Sequence, residues 1–214
     1  MGLSQQTIRQ ALARMGVATR PDLADQINAY ISLLLQWNQK INLTTITSPE
    51  GILTRHFAES FFATTVAPVS EGRLADVGSG AGFPGLALKL IRPNLKVELI
   101  EPNLKKATFL AEVARKLGLR GVRVVRSRFQ GISDSRYDYV ACRALGFREE
   151  LLKWAHAALQ SGGCCILWLG MKDADAVRAM ASPAWSWKEA TLIPGSRERA
   201  ILVGNPAGSR IRST

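Results

Sequence analysis

Ten consecutive residues concentrate the chemistry of this 214-residue chain: Asp76-Val77-Gly78-Ser79-Gly80-Ala81-Gly82-Phe83-Pro84-Gly85. They follow a short apolar stretch and precede a helical one, so the glycines fall where a strand turns into a helix. Ligands of open α/β sheets sit at that carboxyl edge of the strands. Glycines there let the backbone approach a nucleoside without Cβ clashes. Glu101 closes the next strand-like stretch, 21 residues after Gly80. Its carboxylate can accept two hydrogen bonds from the hydroxyls of a ribose. A glycine-rich turn with no ligand is the weaker reading, because Asp76 and Glu101 stand together.

Gly80 to Gly85 also fits the dinucleotide pattern G-x-G-x-x-G. A dinucleotide puts its pyrophosphate on the helix N-terminus and wants a neutral turn. Asp76, just before the turn, would repel that diphosphate. The same carboxylate suits S-adenosylmethionine (AdoMet), which carries an ammonium and a cationic sulfur. Charge therefore favours AdoMet over NAD. Lys105 and Lys106 open a helix near this edge and are candidate phosphate contacts. Arg120, Arg123, Arg126 and Arg128 surround the third strand, where alternation through position 124 places Arg126 and Arg128 on one face. RNA contact and a solvated edge are equal readings for them. Cys142 ends a strand, where cytosine-C5 methyltransferases can place a nucleophile. It lacks the neighbouring proline of those enzymes, so core packing is the better reading. His56, on a helix face, reads as structural or as an RNA contact.

The elements that must position these residues follow from periodicity. Residues 1–66 read as helices, with a break at Pro21, a second helix through Trp37, and a third that starts at Ser48-Pro49-Glu50 and carries Arg55, His56, Ser60 and Phe61. From Gly72 onward strands alternate with helices. Strands are expected at 74–77, 97–100, 122–125, 137–141, 164–169, 185–192 and 199–203, and helices at 84–91, 104–117, 149–159 and 173–180. Such alternation implies a parallel sheet covered by helices on both faces. The last two strands have no helix between them, so the final strand runs antiparallel. The expected organisation is an α/β Rossmann-like fold with a seven-stranded, mostly parallel sheet. An N-terminal helical extension spans 1–66, a catalytic domain 67–205, and a frayed tail 206–214.

Composition narrows the function classes. A net charge of +11 favours a polyanionic partner. No apolar run spans a bilayer, and the N-terminus lacks a secretory h-region. Three cysteines, two of them adjacent, and two histidines argue against a disulfide framework and a zinc site. A cytoplasmic, metal-free monomer is expected.

The run Asp76 to Gly85 followed by Glu101 resembles the AdoMet site of class I methyltransferases. More narrowly, Gly78 to Ala87 resembles the RsmG family (glucose-inhibited division protein B). Trp37 to Thr44, Arg55 to Ser60, Lys105-Lys106 to Leu110, and Cys142-Arg143-Ala144 resemble the same family, over about residues 30 to 170. The resemblance implies methylation of N7 of a guanine in 16S ribosomal RNA, free or in an assembling small subunit. It implies AdoMet contacts at Gly78, Phe83, Glu101, Phe129, Gln130 and Arg143, joined by Asp76 and Gly80 from the residue reading. The Phe129-Gln130 pair departs from the small residue and Glu common in the family. His56, Lys105, Lys106, Arg126 and Arg128 are the candidate RNA contacts, and Arg143 is a candidate for positioning cofactor or guanine. A methyltransferase of another RNA base or of a small molecule, and a non-catalytic RNA-binding assembly factor, are the alternatives.

Overall fold

The computed structural model describes residues 2–133, 136–143, 146 and 148–208. Ala144 of the Cys142-Arg143-Ala144 run and residues 209–214 of the expected tail lie outside the described residues.

Helix α1 (Gln5–Ala13) is opened by Ser4, whose hydroxyl accepts from the Thr7 amide at 3.0 Å. Helix α2 (Leu23–Asn38) follows the Pro21 break and buries Ile27, Tyr30, Ile31 and Leu34 at helical spacing. Ser48 then caps α3 (Pro49–Ile52), with Pro49 at the first turn. Here the expected single third helix is corrected. It is α3, a π-helical turn over Leu53–Ala58, and α4 (Glu59–Val66). A wide turn strands backbone carbonyls, and side chains meet them. The Thr54 hydroxyl donates to Glu50 O, and Arg143 Nη2 donates to Arg55 O at 2.8 Å.

The sheet consists of β1 (Gly72–Val77), β2 (Leu95–Ile100), β3 (Val122–Val125), β4 (Tyr137–Arg143), β5 (Leu159–Gly170), β6 (Trp185–Trp187), β7 (Thr191–Leu192) and β8 (Arg199–Pro206). Its order is β3-β2-β1-β4-β5-β8-β6, with β7 also on β8. The first five strands are mutually parallel, and β8 runs antiparallel to β5. Helices α5 (Gly85–Ile91), α6 (Leu104–Lys116), α7 (Arg148–Ala158) and α8 (Met171–Ala181) connect them. The expected strand at 185–192 is two short ones, so the sheet has eight strands rather than seven. Trp187 pairs Gly204, but Thr191 pairs Ile201, so four steps on one side face three on the other. That extra residue is a bulge on an edge. Strand β5 begins earlier than expected. Its pairing slips between Tyr137/Leu159 and Tyr139/Cys164, where Gly162 has φ +79°.

Two apolar cores form, one on each face of the sheet. Leu74, Val97, Leu99 and Ile166 pack with α2, α4, α5 and α6, so the N-terminal helices share the core of that face. Ala75, Val77, Val140 and Leu167 pack with α7 and α8. Cys164 belongs to the first core, and Cys165 and Cys142 to the second. Phe57, Phe61 and Phe109 are fully buried, each contributing roughly 1.5–3 kcal/mol. Strand β3 ends at Val125, and Ser127 N–H turns back onto Val125 O. The alternation expected to align Arg126 with Arg128 therefore does not reach them.

Candidate active site

The turn after β1 is held from below. The Gly78 amide donates to Ile100 O at 2.9 Å, and the Gly82 amide to Ser79 O at 2.7 Å. Gly82 has φ +86°, and a Cβ there would land on the Tyr30 hydroxyl, which donates to Ala81 O at 2.7 Å. Gly85 opens α5 directly over Asp76, and a Cβ would lie 2.5 Å from Asp76 Oδ2. Only glycine fits beneath α2 and above Asp76.

Asp76 is fully buried. Its Oδ2 accepts from the Gly85 amide at 3.0 Å, and its Oδ1 has no partner. Burial pushes its pKa from 3.8 up to about 7, and the Glu101 charge adds to that, against the lowering pull of the Gly85 amide and the Ser79 hydroxyl. Near neutrality this site is therefore poised between neutral and charged, and a cation nearby would ionise it. Glu101, also buried, accepts from the Gly80 amide through Oε2 and from the Asn103 amide through Oε1, both at 2.9 Å. A carboxylate has about four acceptor positions. That count leaves two positions beyond the two amides. The two bonds tie the glycine turn to the end of β2 as one unit.

Phe83 is less open than a ligand contact suggests. Its ring stacks on Tyr30 (centroids 5.3 Å, 15°) and on His56 (4.8 Å, 17°), and meets Phe57 edge-on. His56, in the π turn, has Nε2 2.8 Å from Thr44 Oγ1, while Nδ1 is buried without a partner. Burial, with Arg143 and Arg55 nearby, lowers its pKa to about 4, so it is neutral at physiological pH. Phe129 and Gln130 form a short 3-10 turn beyond β3. The Phe129 ring packs inward on Trp154, and Gln130 Nε2 donates to Glu150 at 2.7 Å. Arg143 ends β4. Its Nη2 donates to Arg55 O and lies 3.1 Å from Glu59 Oε2, while Nη1 is buried and unpartnered. Lys105 and Lys106 lie in the first turn of α6, which Asn103 caps through the Lys106 amide. Arg126 and Arg128 are exposed just past β3.

Asp76, Gly78, Gly80, Phe83, Glu101, Phe129, Gln130 and Arg143 all lie at or just beyond the carboxyl ends of β1 to β4. Lys105, Lys106, Arg126 and Arg128 flank the ends of β2 and β3. The helical extension brings His56 to Phe83 and Arg143 from elsewhere in the sequence.

Sequence reasoning missed Glu59. This carboxylate is only 3% exposed and draws in three guanidiniums: Arg55 (3.1 Å), Arg143 (3.1 Å) and Arg199 (2.8 Å). Beside it a cavity of about 510 Å³ opens at the ends of β4 and β5, walled by Leu151, Leu167, Trp168, Val177 and Ile193. The only local signal was the i,i+4 spacing of Arg55 and Glu59. Among the described residues, no group of three or more His, Cys, Asp or Glu could hold a metal, and no helix is long and apolar enough to cross a membrane.

Residues 23–197 match the family model described as rRNA small subunit methyltransferase G. The chain is 38% identical over 166 residues to the ribosomal RNA small subunit methyltransferase G of Myxococcus xanthus, covering 76% of each chain. It is 32% identical over 209 residues to that of Pelotomaculum thermopropionicum, covering 94% of this chain and 84% of that one. Among solved structures it resembles a methyltransferase from Pyrococcus furiosus, with TM-score 0.62, 18% identity, and coverage of 82% and 95% of the two chains.

Proposed function

We infer the activity from one premise: this chain belongs to the rRNA small subunit methyltransferase G family. It is a methyltransferase of small-subunit ribosomal RNA. We propose that AdoMet is the methyl donor and that it sits on the glycine turn. The observation that carries this reading is the pairing of Glu101 with the Gly80 amide, which builds turn and acceptor into one cradle.

The residues fit the cofactor. The glycines offer backbone without side chains, Glu101 keeps two acceptor positions for ribose hydroxyls, and Asp76 has a buried oxygen without a partner. AdoMet bound there supplies a methyl group on a cationic sulfur. Asp76 acts electrostatically, since it is buried beneath Gly85: it fixes the loop and places negative charge under a cationic ligand. The turn at Phe129-Gln130 offers backbone groups on the adenine side. Arg143 positions the cofactor's reactive end from β4.

We propose that the acceptor atom is guanine N7. That atom has an in-plane lone pair and loses no proton on attack, so alignment and exclusion of water suffice. The site suits this chemistry. His56 stays neutral, is a weak base at about 4, and uses its ring to support Phe83. Lys105, Lys106, Arg126 and Arg128 are assigned to RNA phosphates. Residues 1–66 act as an extension that delivers His56 and Arg55 to the catalytic region 67–205. The working form is a cytoplasmic monomer acting on 16S rRNA or on an assembling subunit.

The test is transfer of a labelled methyl from AdoMet to small-subunit rRNA, followed by nucleoside analysis. Label in N7-methylguanosine is the expected result. Label in another nucleoside, or transfer to small molecules only, would overturn the acceptor assignment.

A further inference from the structure

A second basic surface lies at the amino ends of the strands, across the sheet from the glycine turn. Its origin is the chain path between β3 and β4. That crossover spans β2 and β1, yet its described residues hold only the 3-10 turn Phe129–Gly131. A parallel sheet is ordinarily covered there by a helix. Here Phe129 joins Val77 and Ile100 in the second core, over the carboxyl halves of β1 and β2. The amino halves of β1, β2 and β3 are left with an open groove of about 290 Å³. Arg73, Lys96 and Arg123, each the second residue of its strand, line it with Glu98 and Tyr137. Strand rise places Lys96 roughly 16 Å from Glu101 along β2.

The charges in this groove are unbalanced. Arg73 and Lys96 are paired in register on neighbouring strands, and like charges so placed repel. Neither forms an ion pair with a carboxylate among the described residues. Arg73 is held instead over the Tyr137 ring, its Cζ 5.3 Å from the centroid, a contact that uses no N–H group. Tyr137 is fixed in turn, its hydroxyl donating to Glu98 Oε1 at 2.7 Å. Glu98 Oε2 lies 3.5 Å from Arg123 Nη1, but that arginine side chain is 73% exposed. Such a pair contributes little, so Arg123 keeps donors for another anion. Asp138, beside Tyr137, is engaged by the Arg73 backbone amide and the Gln160 side chain. Within the lining, three cations face one carboxylate. From Arg123 the cations continue past the end of this edge strand to Arg126 and Arg128, both exposed toward the cofactor end.

We propose that this groove binds the phosphodiester backbone of an rRNA segment away from the acceptor guanine, with Arg73 and Lys96 as its phosphate ligands. The proposal rests on the rRNA methyltransferase reading for the identity of the polyanion, and adds a second contact surface to it. Backbone rather than base is the fitting ligand. Tyr137 is fully buried and offers no ring face for stacking, whereas spaced cations suit spaced phosphates. Contacts of this kind set the register of a protein on its RNA and carry no sequence information themselves.

The test compares wild type with two double variants. One is Arg73→Ala with Lys96→Ala. The other, Arg9→Ala with Arg14→Ala, removes the same charge from exposed positions at α1. The readouts are Kd for small-subunit rRNA across a salt series and AdoMet affinity by calorimetry. The groove variant should bind rRNA roughly tenfold more weakly and lower the slope against log salt by about two, one for each phosphate no longer neutralised. Its AdoMet affinity should be unchanged. The α1 variant should keep the wild-type slope, and so should Arg73→Lys with Lys96→Arg. An unchanged slope in the groove variant would overturn the proposal. Equal losses in the groove and α1 variants would also overturn it, because net charge alone would then be at work. So would AdoMet affinity falling together with rRNA affinity, since the damage would then have crossed the sheet to the cradle. Binding is read apart from transfer. A wild type that binds rRNA through this groove but transfers no methyl would contradict the activity and leave the groove standing.

Discussion

Replacing Asp76 with Asn separates what this carboxylate does for the fold from what it does for the ligand. In the folded protein without ligand its pKa is about 7, against an ordinary 3.8. A raised value means that the folded chain keeps a proton the unfolded chain releases. The stability this contributes is fully present below 3.8 and is lost as pH rises through about 7. Each pH unit across that interval is about 1.36 kcal/mol, so the whole loss is about 4 kcal/mol. Asn is neutral throughout, and its carbonyl can still accept from the Gly85 amide. Urea unfolding of the AdoMet-free proteins at pH 5 and pH 8 measures the difference. Wild type should lose about 3 kcal/mol more than Asp76→Asn between those two pH values. Titrating groups not coupled to Asp76 are common to both and cancel. AdoMet should reverse the ranking: affinity of the wild type rises as pH passes through about 7, because a cationic ligand needs Asp76 ionised, whereas the variant binds weakly and without that rise. Parallel stability curves would show that Asp76 is not the titrating group. An Asn variant that binds AdoMet as well as wild type at pH 8 would remove its charge from the binding site.

Three further outcomes follow from the same geometry. Glu101→Gln keeps one acceptor for the Gly80 or Asn103 amide but loses the charge, and calorimetry should show AdoMet weakened by roughly ten- to a hundredfold with the fold intact. Gly82→Ala puts a methyl onto the Tyr30 hydroxyl at φ +86° and should cost about 3 kcal/mol in urea unfolding. Adding Tyr30→Phe should return part of that loss, and strict additivity of the two changes would argue against the clash. Replacing Lys105 and Lys106 together with Ala should lower the salt slope of RNA binding by about one for each phosphate no longer neutralised, with AdoMet affinity unchanged.

The parts of the site legible in the sequence are those whose chemistry is local. Asp76, the glycines and Gly85 lie within ten residues, and the demand for glycine at 82 and 85 arises from neighbours the turn itself creates or from one helix above it. The parallel direction of β1 to β5 follows from the alternation of strands and helices, and the antiparallel return of β8 from the lack of a helix before it. Glu59 was invisible because its partners Arg143 and Arg199 are 84 and 140 residues away, and only the fold brings β4 and β8 to α4. The π turn was likewise hidden, since what stabilises it includes an arginine from β4. The side chains of Phe129 and Gln130 could not be placed from sequence either: Trp154 and Glu150, both on α7, decide where they point. At the sheet edge, Trp187 lies over Gly204, a contact set by pairing rather than by local pattern.

The most direct measurement replaces the target guanine of small-subunit rRNA with its 7-deaza analogue, in which carbon stands where N7 was. Binding and methyl transfer are then followed side by side, with AdoMet saturating. If N7 is the acceptor, the analogue binds nearly as well as the natural RNA and accepts no methyl. Full methylation of the 7-deaza RNA would show that the methyl goes to another atom and would contradict that assignment.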